Sequence, residues 1–139
     1  MVRYVGFFRE GNESGDPSLY RDSLRSAAEG PAAPDEDRIL QYLMSGTEIF
    51  STMGVERDVL DGEKWIGGAG SLVTDGEWVW PVDLVHYLEH YHIALPEEFL
   101  ARVRGAGYLM KPIDDARIRE VDKEVFPNPP PNPWANRKA

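Results

Sequence analysis

The stretch "SLVTDGEWVWP" (Ser71–Pro81) limits the fold more than any other part of the chain. Asp75-Gly76 lies between two β-prone runs. A two-residue turn of the mirror type needs positive φ, which Asp and Gly tolerate, and the flanking runs then close as a β-hairpin. Such a turn sets Thr74 opposite Glu77, Val73 opposite Trp78, Leu72 opposite Val79 and Ser71 opposite Trp80. One face of the hairpin then carries Val73, Trp78 and Trp80, and the other carries Leu72 and Val79. Two indoles bury the most area, so the tryptophan face is the expected core side, with both faces covered near the base.

Helical patterns surround the hairpin. In "PVDLVHYLEHYH", Pro81 suits the first turn and Asp83 the positive end of the dipole. Leu84, Tyr87, Leu88 and Tyr91 follow at i, i+3, i+4 and i+7. "LPEEFLARVRG" uses the same device, with Pro96 and Glu97-Glu98 opening a helix whose Phe99, Leu100 and Val103 face inward. "PDEDRILQYLMSG" has Asp35 as a cap, an apolar side of Ile39, Leu40, Leu43 and Met44, and Gly46 as a stop. "DPSLYRDSLRSAAEG" predicts an earlier helix begun by Asp16 and Pro17 and ended at Gly30. "DDARIREVDKEV" predicts a last one, capped by Asp114-Asp115, with Ile118, Val121 and Val125 on one side. "VRYVGFF" (Val2–Phe8) and "TEIFSTM" read as strands. Residues 54–70 show no clean period and read as a loop with a short strand at Lys64–Ile66.

Strands and helices do not alternate regularly. That order predicts the α+β class: a small antiparallel sheet including the Ser71–Trp80 hairpin, packed by several helices on one side. A length of 139 residues suits one globular domain, assigned to 1–126. "PNPPPNPWANRKA" (127–139) reads as an extended proline-rich tail.

The net charge is −9. Such a surface repels phosphate backbones and anionic lipid, so neither nucleic acid nor membrane is expected as a partner; a basic protein is the better match. The chain has no cysteine, which excludes disulfides, zinc–thiolate sites, iron–sulfur clusters and thiol nucleophiles. The apolar run in "MVRYVGFFRE" is too short for a signal peptide and no stretch approaches a membrane span, so a cytoplasmic location is expected.

All three histidines fall between His86 and His92. His86 and His90 lie nearly opposite the Leu84–Tyr91 stripe, with Asp83 one turn earlier. An i, i+4 histidine pair with a carboxylate can chelate a divalent metal or act as a general base. The competing reading is a solvated face of an amphipathic helix, and the zinc-protease pattern is broken because Tyr87 follows His86. "WIGGAGS" (Trp65–Ser71) precedes a strand rather than a helix and reads as a loop or bulge entering the hairpin, one that can move over a pocket beside the tryptophans. No G-x-S-x-G elbow occurs, and the acidic pairs are accounted for by helix starts.

Trp65, Trp78 and Trp134 are the candidate partner-binding aromatics. Trp134, isolated in the tail, can dock on its own domain, on a partner or on a second copy. The succession W-P-x-D-L, Y-L and L-P-E-E-F resembles small bacterial proteins and implies no mechanism. Missing catalytic motifs, acidic balance and the tail together point to a non-enzymatic protein–protein interaction domain. Its special form is a bacterial immunity or inhibitor protein that covers a basic partner. The rival is a small-ligand or metal-binding protein, or an enzyme, using the His86/His90 face or a pocket beside Gly67–Gly70.

Overall fold

The computed structural model describes residues 2–8, 10, 23–28 and 30–126. The 127–139 tail with Trp134, and the start of the helix expected from Asp16, lie outside the described residues.

The hairpin forms from β5 (Leu72–Thr74) and β6 (Trp78–Pro81), paired Leu72↔Pro81, Val73↔Trp80 and Thr74↔Val79. Thr74 therefore faces Val79 rather than Glu77, because the connection spans Asp75–Trp78 instead of two residues. Side chains close this wider loop. The Asp75 carboxylate accepts from the Glu77 and Trp78 amides at 2.9 and 2.7 Å. The Thr74 hydroxyl donates to the Trp78 carbonyl at 2.7 Å and accepts from the Gly76 amide at 3.0 Å. Asp and Thr favour such local bonds over a tight backbone turn. Gly76 supplies the positive φ, at 96°. Because strand side chains alternate with a period of two, a slip of two positions leaves each residue on its face.

β2 (Thr47–Phe50) pairs antiparallel with β5, and β1 (Arg3–Tyr4) pairs parallel with β6. The result is a mixed sheet in the order β1-β6-β5-β2. β1 is shorter than the Val2–Phe8 run suggests. Pro81 ends β6 instead of opening the next helix. A separate antiparallel ribbon joins β3 (Val55–Arg57), which no sequence period announces, to β4 (Trp65–Gly67), close to the expected strand.

The helices are α1 (Leu24–Ala27), α2 (Glu36–Met44), α3 (Asp83–Tyr91), α4 (Glu97–Gly105) and α5 (Asp115–Val125). The fold is α+β. On the tryptophan face, Val73, Trp78 and Trp80 pack with Ile39 and Leu43 of α2, Leu84 and Leu88 of α3, and Phe99 of α4. The Phe99 ring meets Trp78 and Trp80 edge-on, at centroid distances of 5.2 and 5.7 Å. Trp80 Nε1 donates to the Leu43 carbonyl at 3.2 Å, satisfying a group that the end of α2 leaves open.

On the reverse face Val79 packs with Val2 and with Val121 of α5. Helices thus cover both faces, not one, which corrects the one-sided arrangement expected from the sequence. Asp114 caps α5 by accepting from the Arg117 amide at 2.8 Å. Asp35 makes no such bond to α2; its carboxylate takes Arg104 and Tyr108 instead, at 2.8 and 2.6 Å. Among the described residues no helix is long and apolar enough to cross a membrane.

Candidate functional site

Gly46 brings the chain from α2 into β2 directly against the hairpin. A Cβ there would lie 2.2 Å from Val73 Cγ1 and 2.9 Å from the Trp80 ring, so only glycine allows this approach. Beside that crossing a groove of about 450 Å³ opens between β4 and α3. Val73, Trp80 and Leu43 line its apolar part, Trp65–Gly67 one side, and Val85, His86 and Glu89 the other, with Met44 and Glu48 also in the lining.

Two lining residues are large, apolar and well exposed: Trp65 at 56% and Met44 at 63%. Glu48 and Glu89 bring carboxylates, and no lysine or arginine lines the groove. Neither glutamate has an ion-pair partner among the described residues. Just outside, the Arg57 guanidinium sits 4.9 Å from the Trp65 ring centroid, so the indole already carries a cation on part of its surface.

The histidine-bearing face of α3 is divided: His86 is half-buried, whereas His90 is exposed to solvent. The loop after β3 reaches His86 through Asp58. This carboxylate is buried (2% exposed) and fully engaged. Its Oδ2 lies 2.7 Å from His86 Nε2 and accepts from the Tyr91 hydroxyl at 2.7 Å. Its Oδ1 accepts from the Leu60 and Asp61 amides at 2.7 and 3.1 Å. Next to it the Val59 amide donates to the Tyr87 hydroxyl at 3.0 Å. Burial pushes the Asp58 carboxyl up, but the hydrogen bonds from His86, Tyr91 and the two amides outweigh it and hold the group below the ordinary carboxylate value. Burial, and then the bond to Asp58, raise the Tyr91 hydroxyl.

Of the candidate metal residues, the two histidines are neighbours and Asp83 is engaged elsewhere. His86 faces Asp58, and the Asp83 carboxylate accepts from the Gly70 amide at 2.9 Å, tying the glycine loop to the first turn of α3. His90 is exposed, its ring centroid 4.5 Å from that of His86 and the two planes tilted by 44°. Among the described residues no group of three histidine, aspartate or glutamate side chains could hold a metal ion. Gly68 and Gly70, with φ of 70° and 91°, form a turn linking β4 to the hairpin.

Of the candidate aromatics, Trp65 lines the groove, Trp78 is core at 4% exposure, and Trp134 lies outside the described residues. Sequence reasoning missed Asp58, Glu48 and Glu89. Nothing in "VERDVLDGEKW" separates Asp58 from Asp61, since the difference arises only when the loop meets α3.

A second cavity, of about 440 Å³, lies among Tyr4, Phe7, Phe50, Val125 and Phe126. Its lining is largely aromatic and apolar, includes Glu56, Arg57 and Asp83, and has no tryptophan, unlike the groove. Comparison of the chain with protein-family models, with curated proteins and with solved structures finds no match.

Proposed function

We propose that this protein is a non-enzymatic protein–protein interaction domain whose β4–α3 groove receives a positively charged side chain of a basic partner. One observation carries the reading: an exposed indole and a thioether share the groove with two carboxylates and no lysine or arginine. An indole face attracts a cation by roughly 0.5–1 kcal/mol at an exposed site, and nearby carboxylates add to that attraction. The net charge of −9 draws basic partners to the surface before they dock. An immunity or inhibitor role is the special case in which the covered partner is itself the target being neutralised.

The test is a tryptophan-fluorescence titration with a lysine-rich peptide at low and at moderate salt. Binding is expected to weaken with salt and to be lost in Trp65→Ala and in the double variant Glu48→Gln/Glu89→Gln. A folded protein that ignores the peptide at low salt, or variants that bind as well as the parent, would overturn the proposal.

The Asp58–His86 pair at the groove wall favours a second reading, acid–base chemistry on a small ligand. The docking of the 58–61 loop onto α3 accounts for the same contacts without any chemistry. Zinc titration followed by the histidine NMR signals separates the metal form of this reading, which requires His86 and His90 to shift together.

A further inference from the structure

We infer that the basic segment of the partner binds as an extended strand along the free edge of β4, Trp65–Gly67. The inference rests on the groove reading above and names the shape of its occupant.

Residues facing each other across an antiparallel ladder alternate between pairs that exchange hydrogen bonds and pairs that do not. At one end of the β3–β4 ribbon the Gly68 amide donates to the Gly54 carbonyl at 2.8 Å. At the other the Asp58 amide donates to the Lys64 carbonyl at 3.0 Å. Between these lies Glu56↔Ile66, which by alternation is also a bonded pair. The flanking pairs, Val55↔Gly67 and Arg57↔Trp65, are therefore of the non-bonded kind. The N–H and C=O groups of Trp65 and Gly67 point away from β3. The ribbon has two strands only, so no described strand lies on that side to receive them.

All three residues of β4, Trp65, Ile66 and Gly67, line the groove. Gly67 does so without a side chain, so the groove reaches the main chain of the strand there. At Gly67 a Cβ would meet nothing within 4 Å, and the residue itself carries no side chain, so the main chain is open to close approach.

An incoming strand would satisfy the edge by main-chain bonds and present every second side chain to the groove. Lysine or arginine at those alternate positions meets Glu48, Glu89 and the Trp65 ring, which is the charge complement that selects this occupant. The unpaired edge supplies affinity without regard to sequence, and the carboxylates supply the preference for basic residues.

The probe is a short peptide of alternating lysine and valine, compared with two versions of equal charge that are N-methylated on alternate backbone nitrogens. At least one methylated version is expected to bind about tenfold more weakly, as loss of a main-chain bond implies. In the complex with the unmodified peptide, hydrogen exchange at the Trp65 and Gly67 amides is expected to slow by about the same factor or more. Equal affinity for all three peptides, or unchanged exchange at both amides, overturns the strand while leaving cation recognition standing. No binding of the unmodified peptide removes the groove reading itself.

Discussion

The ribbon β3–β4 and the hairpin β5–β6 use the same antiparallel pairing, a few residues apart in the chain, in opposite surroundings. Every residue of β6 is buried, whereas every residue of β3 is exposed and β4 buries only Ile66. β6 has a neighbouring strand on each side and packed side chains on both faces. Among the described residues each strand of the ribbon has one neighbour, and the ribbon is anchored through Ile66 and the Asp58 contacts. A strand whose edges and faces are all satisfied contributes stability and has nothing left to offer a partner. A strand with a free edge and an exposed indole contributes little stability and keeps its bonding capacity for something else.

This contrast can be broken by substitution. The largest effect is expected at Trp80, which is 0% exposed at the centre of the tryptophan face. Trp80→Ala should cost about 3–5 kcal/mol in urea unfolding. A loss under about 1 kcal/mol, well below that range, would mean the hairpin is not the hub of the core.

Asp58→Ala comes next. It removes the acceptor of Tyr91 and of His86 and frees the 58–61 loop, at a cost of about 2–3 kcal/mol near neutral pH. Folding lowers the Asp58 carboxyl below its ordinary value, so this stabilisation is present above the unfolded value, about pH 4. It disappears as pH falls through the lower folded value. The gap between parent and variant in urea unfolding should therefore be open above about pH 5 and close below about pH 4. A gap that stays constant through acid would show that the carboxylate charge is not what holds the loop.

The smallest stability effect is expected at Trp65. Trp65→Ala should shift unfolding by less than about 0.5 kcal/mol, as exposed positions usually do, while abolishing the response to a lysine-rich peptide. A large loss of stability there would make the ribbon part of the core and erase the distinction between the two pairs of strands.

Much of this was legible in local spacing. Asp75-Gly76 announces a reversal between two β-prone runs, and the period of two puts Val73, Trp78 and Trp80 together whichever register the loop selects. The register itself was not legible, because it depends on the Asp75 and Thr74 side chains bonding into the loop. The inward residues of α3 and α4 follow from helical spacing. Asp114 caps its helix as its position suggests, whereas Asp35 is drawn off by Arg104 and Tyr108 from a distant helix and loop.

The amino-acid sequence by itself determined the α+β class, the hairpin, the apolar faces of its main helices and the net acidity. Those properties depend on neighbours within a turn or two, or on composition alone. Only the tertiary structure decided that α5 closes the reverse face of the sheet, that Asp58 meets His86, and that Trp65 lines one groove with Glu48 and Glu89. Each of those depends on segments far apart in the chain meeting in space, and no local period records where they meet.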